Sequence, residues 1–222
     1  YNFTTCDATG KNGPSQGDCD TNYSGTTLEG LVNVTSGIQN WTVPSTGNYN
    51  ITIAGAAGDG LLFVGANGSV MSGEFSLTAG DVVNIVVGQM GGPGQSSEPG
   101  GGGGGTFVYT GEIGGDGLLI AAGGGGGGGE EGSSAGAPGV DVQRGTDYAG
   151  TPTGTIGEGG AGLLAGGGAG WNSDGGDSEG SNGGDRFTGG TGNNYVTADG
   201  GFGGGCAGDF SDGGGCGGGY SG

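Results

Sequence analysis

The chain has 222 residues, of which 70 are Gly, 22 are Asp or Glu, 3 are Lys or Arg and none is His, giving a formal net charge of −19. That balance leaves no basic footprint for nucleic acid or anionic lipid, and no apolar run approaches the ~20 residues of a bilayer span. Without histidine, most catalytic triads, most zinc sites and most neutral-pH proton transfer are excluded as well.

Residues 1–99 hold 18 of the glycines and read as ordinary β-protein. Ile38-Gln39-Asn40-Trp41-Thr42-Val43 alternates large apolar with polar side chains, and Pro44-Ser45-Thr46-Gly47 supplies a turn. Tyr49, Ile51 and Ile53 alternate with Asn50 and Thr52, the period of two that a half-buried strand requires. Val70–Leu77 and Asp81–Val87 form a further pair joined by Ala79-Gly80-Asp81. No stretch of ten residues has helical periodicity. The spacing of turns predicts an all-β sandwich, with Trp41 packed inward beside Val43.

Residues 100–222 alternate two textures. Thr106–Tyr109 and Leu118–Ala122 are short apolar strands, flanked by the glycine runs Gly100–Gly105 and Gly123–Gly129. Further runs follow at Gly157–Gly170, Gly200–Gly205 and Gly213–Gly219. There are only 6 prolines and no strict Gly-X-Y period, so collagen is excluded. The uneven glycine content, interrupted by strands, argues against low-complexity disorder. Such runs are poor α-helix, since each Gly loses ~1 kcal/mol relative to Ala, and as strands they lack side chains to pack. The ordered state expected is the extended polyglycine helix with three residues per turn, whose peptides must bond to neighbouring runs. Residues 1–99 are thus expected to be mainly sandwich, and 100–222 a glycine-helix bundle interleaved with sandwich strands near 106–122, in one integrated unit. Trp171 is expected to cap the bundle against the sandwich.

Six Asn-X-Ser/Thr acceptors, at Asn2, Asn22, Asn33, Asn40, Asn50 and Asn67, point to a secretory route with N-linked glycans. Asn40 and Asn50 fall on the outward phase of their strands. Four cysteines allow three connectivities, and the local one, Cys6–Cys19 with Cys206–Cys216, is expected. A metal site on them is disfavoured, because no CxxC and no His accompanies them. The sequence starts at Tyr1 with no leader, which reads as a mature N-terminus.

The segment Asn2–Gly10, with Asn12–Gln16 and Cys19-Asp20, resembles the opening of the extracellular glycine-rich domain of the anaplastic lymphoma kinase and leukocyte tyrosine kinase receptor family. The resemblance continues through Gly37–Gly47, Gly55–Gly58, Val87-Gly88-Gln89, Gly100–Thr106, Ile120–Gly127, Gly168–Asn172, Gly200–Cys206 and Gly217–Tyr220, in order along the chain. It implies a tumour-necrosis-factor-like jelly-roll sandwich interleaved with polyglycine helices. In those receptors the module helps recognise a basic cytokine and leads to a membrane span and a kinase domain.

Candidate chemistry is sparse. Gly132-Ser133-Ser134-Ala135-Gly136 fits G-x-S-x-G, but no His exists to activate Ser134. Glu130-Glu131 reads as a solvated tip, and Lys11, the sole lysine, is followed by Asn12 rather than completing a phosphate loop. Residues 180–188 and 189–197 loosely follow a calcium-binding nonapeptide, and with Asp174, Asp177, Glu179 and Asp185 they offer hard oxygen ligands for a calcium ion. The expected role is a non-enzymatic, secreted, glycosylated structural or adhesive protein. It would be a subunit of an extracellular fibre, coat or matrix that self-associates or binds other extracellular proteins, with Tyr1–Asn12 reaching neighbouring copies. The alternative is a receptor-type ectodomain module whose acidic face binds a basic protein ligand.

Overall fold

A computed structural model describes residues 1–60, 65–94, 99–129, 156–160, 166–178, 181–192, 198–208 and 214–221. It is mostly β-sheet. The elements are a helix α1 (Gln16–Asn22) and strands β1 (Val32–Thr35), β2 (Ile38–Thr42), β3 (Gly47–Ala54), β4 (Val70–Leu77), β5 (Val82–Val86), β6 (Thr106–Thr110) and β7 (Leu118–Ala122). They form a five-stranded sheet in the order β1-β2-β5-β6-β7 and a two-stranded sheet β3-β4, with every pairing antiparallel.

The turns do something the local sequence does not reveal. Residues 79–81 do not close a hairpin, because β4 pairs with β3 and β5 pairs with β2 and β6. The turns after β2 and after β4 each carry the chain from one sheet to the other. The expected β4–β5 pair is therefore replaced by β3–β4, in register from Gly47↔Leu77 to Ala54↔Val70.

α1 is seven residues long and forms because Ser15 caps it. The Ser15 backbone N–H donates to Asp18 Oδ2 at 2.7 Å while the Asp18 N–H donates to Ser15 Oγ at 3.3 Å, a reciprocal capping box. Cys19 on this helix is disulfide-bonded to Cys6, with Cα atoms 4.9 Å apart. Gln16 then works as a surrogate strand at the sheet edge. Its Nε2 donates to the Val32 carbonyl at 3.0 Å, and its Oε1 accepts from the Val34 N–H at 2.7 Å, blunting the open side of β1. Residues 1–12 pack into this fold in part: Phe3 lies edge-on to Trp41, and the Gly10 carbonyl accepts from the Phe202 N–H at 2.9 Å, while Tyr1 stays exposed.

The five-stranded sheet carries a core on each face. One face contributes Trp41, Val83, Ile85, Val108 and Ile120 to a core that also holds Ile53 of β3, Leu77 of β4, and Cys6, Cys19, Tyr23 and Leu28 of the N-terminal segment. The alternate residues Val86, Phe107 and Tyr109 enter a second core with Trp171, Phe187 and Phe202. β6 is consequently buried at four successive positions, the pattern of a strand covered on both sides.

Glycine tracts complete one another's backbone bonding. Along 100–105 the donors step through three different neighbours in turn. Gly100 and Gly103 donate to the Gly128 and Gly125 carbonyls at 2.9 and 2.8 Å. Gly101 and Gly104 donate to Gly92 and Gln89 at 3.0 and 2.9 Å, and Gly102 and Gly105 to Cys206 and Gly203 at 3.0 and 2.8 Å. Gly124 and Gly127 in turn donate to Gly218 and Gly215 at 2.7 and 2.6 Å. Donors three residues apart face the same neighbour.

Candidate binding groove

Beside the second core lies an open groove of about 760 Å³. The β1–β2 turn forms one wall through Thr35, Ser36 and Ile38, with Ser36 and Gly37 both at positive φ, 50° and 80°. Asn40 of β2 and Asn84 of β5, directly paired across the sheet, line it next. Asn40 Nδ2 donates to Asn84 Oδ1 at 2.7 Å, and Asn84 Nδ2 donates to the Gly111 carbonyl at 3.0 Å. This amide ladder ties the strands to the β6–β7 loop, which brings Glu112 and Ile113 to the rim. The opposite wall carries Asp174, Asp185 and Arg186.

Aromatic packing holds that wall in place. Trp171 meets Phe107 at 5.9 Å, nearly parallel, and Tyr109 at 5.1 Å, edge-on. Its indole N–H donates to the Gly115 carbonyl at 3.1 Å. The role expected for Trp171, joining the glycine-rich part to the sheet, corresponds to these contacts. Phe187, at a φ of 75°, adds its ring to Phe107 at 5.3 Å and Tyr109 at 5.7 Å.

Charges in the groove are unevenly matched. Asp174 Oδ1 accepts from the Arg186 backbone N–H at 2.7 Å and lies 3.4 Å from Arg186 Nε, while Arg186 Nη1 donates to the Asn172 carbonyl at 3.2 Å. Among the described residues Asp185 takes only the Thr188 hydroxyl, at 3.4 Å, and the exposed Glu112 carboxylate has no partner. One cation thus stands against three carboxylates.

Tyr109 is the least predictable member. It is 2 % exposed, yet it lines the groove, and its hydroxyl has no hydrogen-bond partner among the described residues. Burial pushes its phenol up to about 12. A phenol whose folded value exceeds the unfolded value of about 10 contributes its full stability below pH ~10 and loses it as the pH climbs towards 12. Denaturant unfolding at stepped alkaline pH is expected to show this decline, and Tyr109→Phe is expected to flatten it.

The other sequence candidates are dispersed. Asp177 Oδ1 accepts from the Gly183 N–H at 3.0 Å, so it caps a turn away from Asp174. Glu179, Ser134 and Glu130-Glu131 lie outside the described residues, and among those described no three His, Cys, Asp or Glu side chains converge on a metal position. Cys206 and Cys216, paired in the sequence reading, stand as free thiols. The Cys216 thiol is turned to the Gly166 carbonyl at 2.9 Å, and its backbone N–H points to Cys206 Sγ. Asn2, Asn33, Asn50 and Asn67 are exposed. Asn22 Nδ2 donates to Asp7 Oδ2 at 2.8 Å, and Asn40 is half-buried in the groove. Trp41 is buried among Tyr1, Phe3 and Tyr49 as a packing residue.

No family model matches the chain. Over 118 residues, 50% of the chain, it is 38% identical to the leukocyte tyrosine kinase receptor of Mus musculus. The matched stretch is 13% of that receptor, so the chain spans a small part of the relative's length. Among the described residues no helix is long and apolar enough to cross a membrane.

Proposed function

We propose that the chain is a non-enzymatic, receptor-type extracellular module that recognises a basic protein ligand through its acidic face, centred on the groove. The observation that carries this reading is the groove's charge, Glu112, Asp174 and Asp185 against Arg186 alone, in a chain of net charge −19. Such a field raises the encounter rate with cations and selects against anions. Ile38 and Ile113 beside the carboxylates suit the aliphatic stem of Lys or Arg. Likeness to a receptor supports this role over the fibre or coat subunit that the sequence alone put first. The disulfide and the acceptor triplets support an extracellular site of action.

The architecture read with it is one integrated unit, a tumour-necrosis-factor-like sandwich stiffened by polyglycine helices. The three-residue repeat of donors along 100–105 supports that reading of the tracts. Rigidity then serves recognition, because a preorganised groove spends little binding energy on ordering. The role needs neither cofactor nor metal.

The test is binding of a decalysine peptide to the purified chain by calorimetry across a salt series. Affinity is expected to fall steeply with salt, and Glu112→Gln with Asp185→Asn is expected to weaken binding about tenfold, ~1.4 kcal/mol. Affinity that ignores both salt and these substitutions would overturn the reading.

A further inference from the structure

Asn40 combines two properties that the other acceptor asparagines do not. It belongs to the triplet Asn40-Trp41-Thr42, and it lines the groove. A side-chain amide carries two N–H donors. One of Asn40's goes to Asn84 Oδ1 at 2.7 Å, and the other has no partner among the described residues. N-glycosylation consumes one amide hydrogen and leaves one, so the bond to Asn84 is kept when the sugar replaces the unpaired hydrogen. The groove also holds the Tyr109 hydroxyl, which has no hydrogen-bond partner among the described residues and so can donate to or accept from whatever fills the space. Asn33, Asn50 and Asn67 are exposed.

We propose that the groove seats the first N-acetylhexosamine of a glycan on Asn40, with Tyr109 as its hydrogen-bond partner, and that this glycan closes the groove to protein ligands. Occupancy at Asn40 then sets ligand access. The inference rests on the extracellular recognition role above. In the transfer, Asn40 Nδ2 attacks the anomeric carbon of a lipid-linked oligosaccharyl diphosphate. A C–N bond forms, the anomeric C–O bond breaks, the amide proton is lost and the lipid diphosphate leaves.

The experiment expresses the full chain in a glycosylating secretory host and maps Asn40 by peptide mass spectrometry. Asn40 is expected to be occupied. Enzymatic release of its glycan is expected to be at least about tenfold slower from the native chain than from the unfolded chain, and faster from native Tyr109→Phe. Thr42→Val removes the triplet while keeping Asn40 and its bond to Asn84, and it is expected to bind decalysine about tenfold more tightly than the glycosylated chain. An empty Asn40, or equally fast release from native and unfolded chains, overturns the seat. Equal decalysine affinity with and without the glycan overturns the gating. If neither form binds decalysine, the basic-ligand reading fails, and the release rates still decide whether the sugar is seated.

Discussion

Gly104→Ala is expected to destabilise the chain by several kcal/mol, lowering the thermal midpoint on the order of 10 °C. A Cβ at Gly104 would land on the Phe202 carbonyl oxygen, which is backbone and has no rotamer to retreat into. Gly104 also bonds on two sides, its N–H to the Gln89 carbonyl at 2.9 Å and its carbonyl to the Ala56 N–H at 2.9 Å. Making room for one methyl group therefore parts three neighbouring segments. Overpacking alone amounts to about 1–3 kcal/mol, and each buried backbone group left unpaired adds about 1–3 kcal/mol. Gly47→Ala, at the start of β3 with open space around it, is the matched control and is expected to change stability by less than ~0.5 kcal/mol. Calorimetric melts of the two variants check the pair. Equal tolerance would mean that the tracts do not pack backbone against backbone.

How much of this was legible in the sequence depends on the range of the interactions. The period of two located β2, β3, β4 and β5, because alternation is a local consequence of one covered face, whereas β6 and β7 showed only as short apolar runs between glycine tracts. It missed β1, whose four residues are too few to show a period, and α1, whose seven residues are fixed by a Ser15–Asp18 box and a disulfide rather than by an apolar stripe. Sheet membership was illegible as well. Ala79-Gly80-Asp81 looks the same whether the chain folds back or crosses over, and only the pairing of β4 with β3 decides it. The outward phase assigned to Asn40 was right about direction, but that face meets a groove and a second core. Its cover arrives from Trp171, Phe187 and Phe202, far along the chain. Tyr109 gave no signal, since TFVYT reads as a plain buried strand. Gln39 was equally silent. Fully buried, it accepts from the Tyr23 hydroxyl at 2.6 Å and donates to the Thr4 carbonyl at 2.7 Å, tying the N-terminal segment to the sheet.

Oxidative folding with oxidised glutathione is expected to close a second disulfide between Cys206 and Cys216 and to raise the thermal midpoint on the order of 10 °C. The two backbones are already neighbours, with the Cys206 N–H donating to the Cys216 carbonyl at 3.0 Å. Burial holds the Cys206 thiol well above the ordinary thiol range, whereas the hydrogen bond from Cys206 lowers Cys216. Cys216, partly exposed, is therefore the thiolate that attacks first. It forms a mixed disulfide and releases one glutathione thiolate. Cys206 then loses its proton and displaces the second glutathione, so two protein thiols are oxidised as one disulfide of glutathione is reduced. Closing a loop of this length contributes about 3 kcal/mol by restricting the unfolded chain. The bond would tie the tract ending at Cys206 to the one around Cys216 covalently, beside the backbone bond that already joins them. Alkylation under non-reducing conditions followed by peptide mapping distinguishes the outcomes. Protection of all four cysteines supports the closure, and Cys206→Ser is expected to abolish the gain in midpoint. Alkylation of Cys206 and Cys216 beside a protected Cys6–Cys19 pair would show that the Cys216 thiol stays bonded to the Gly166 carbonyl.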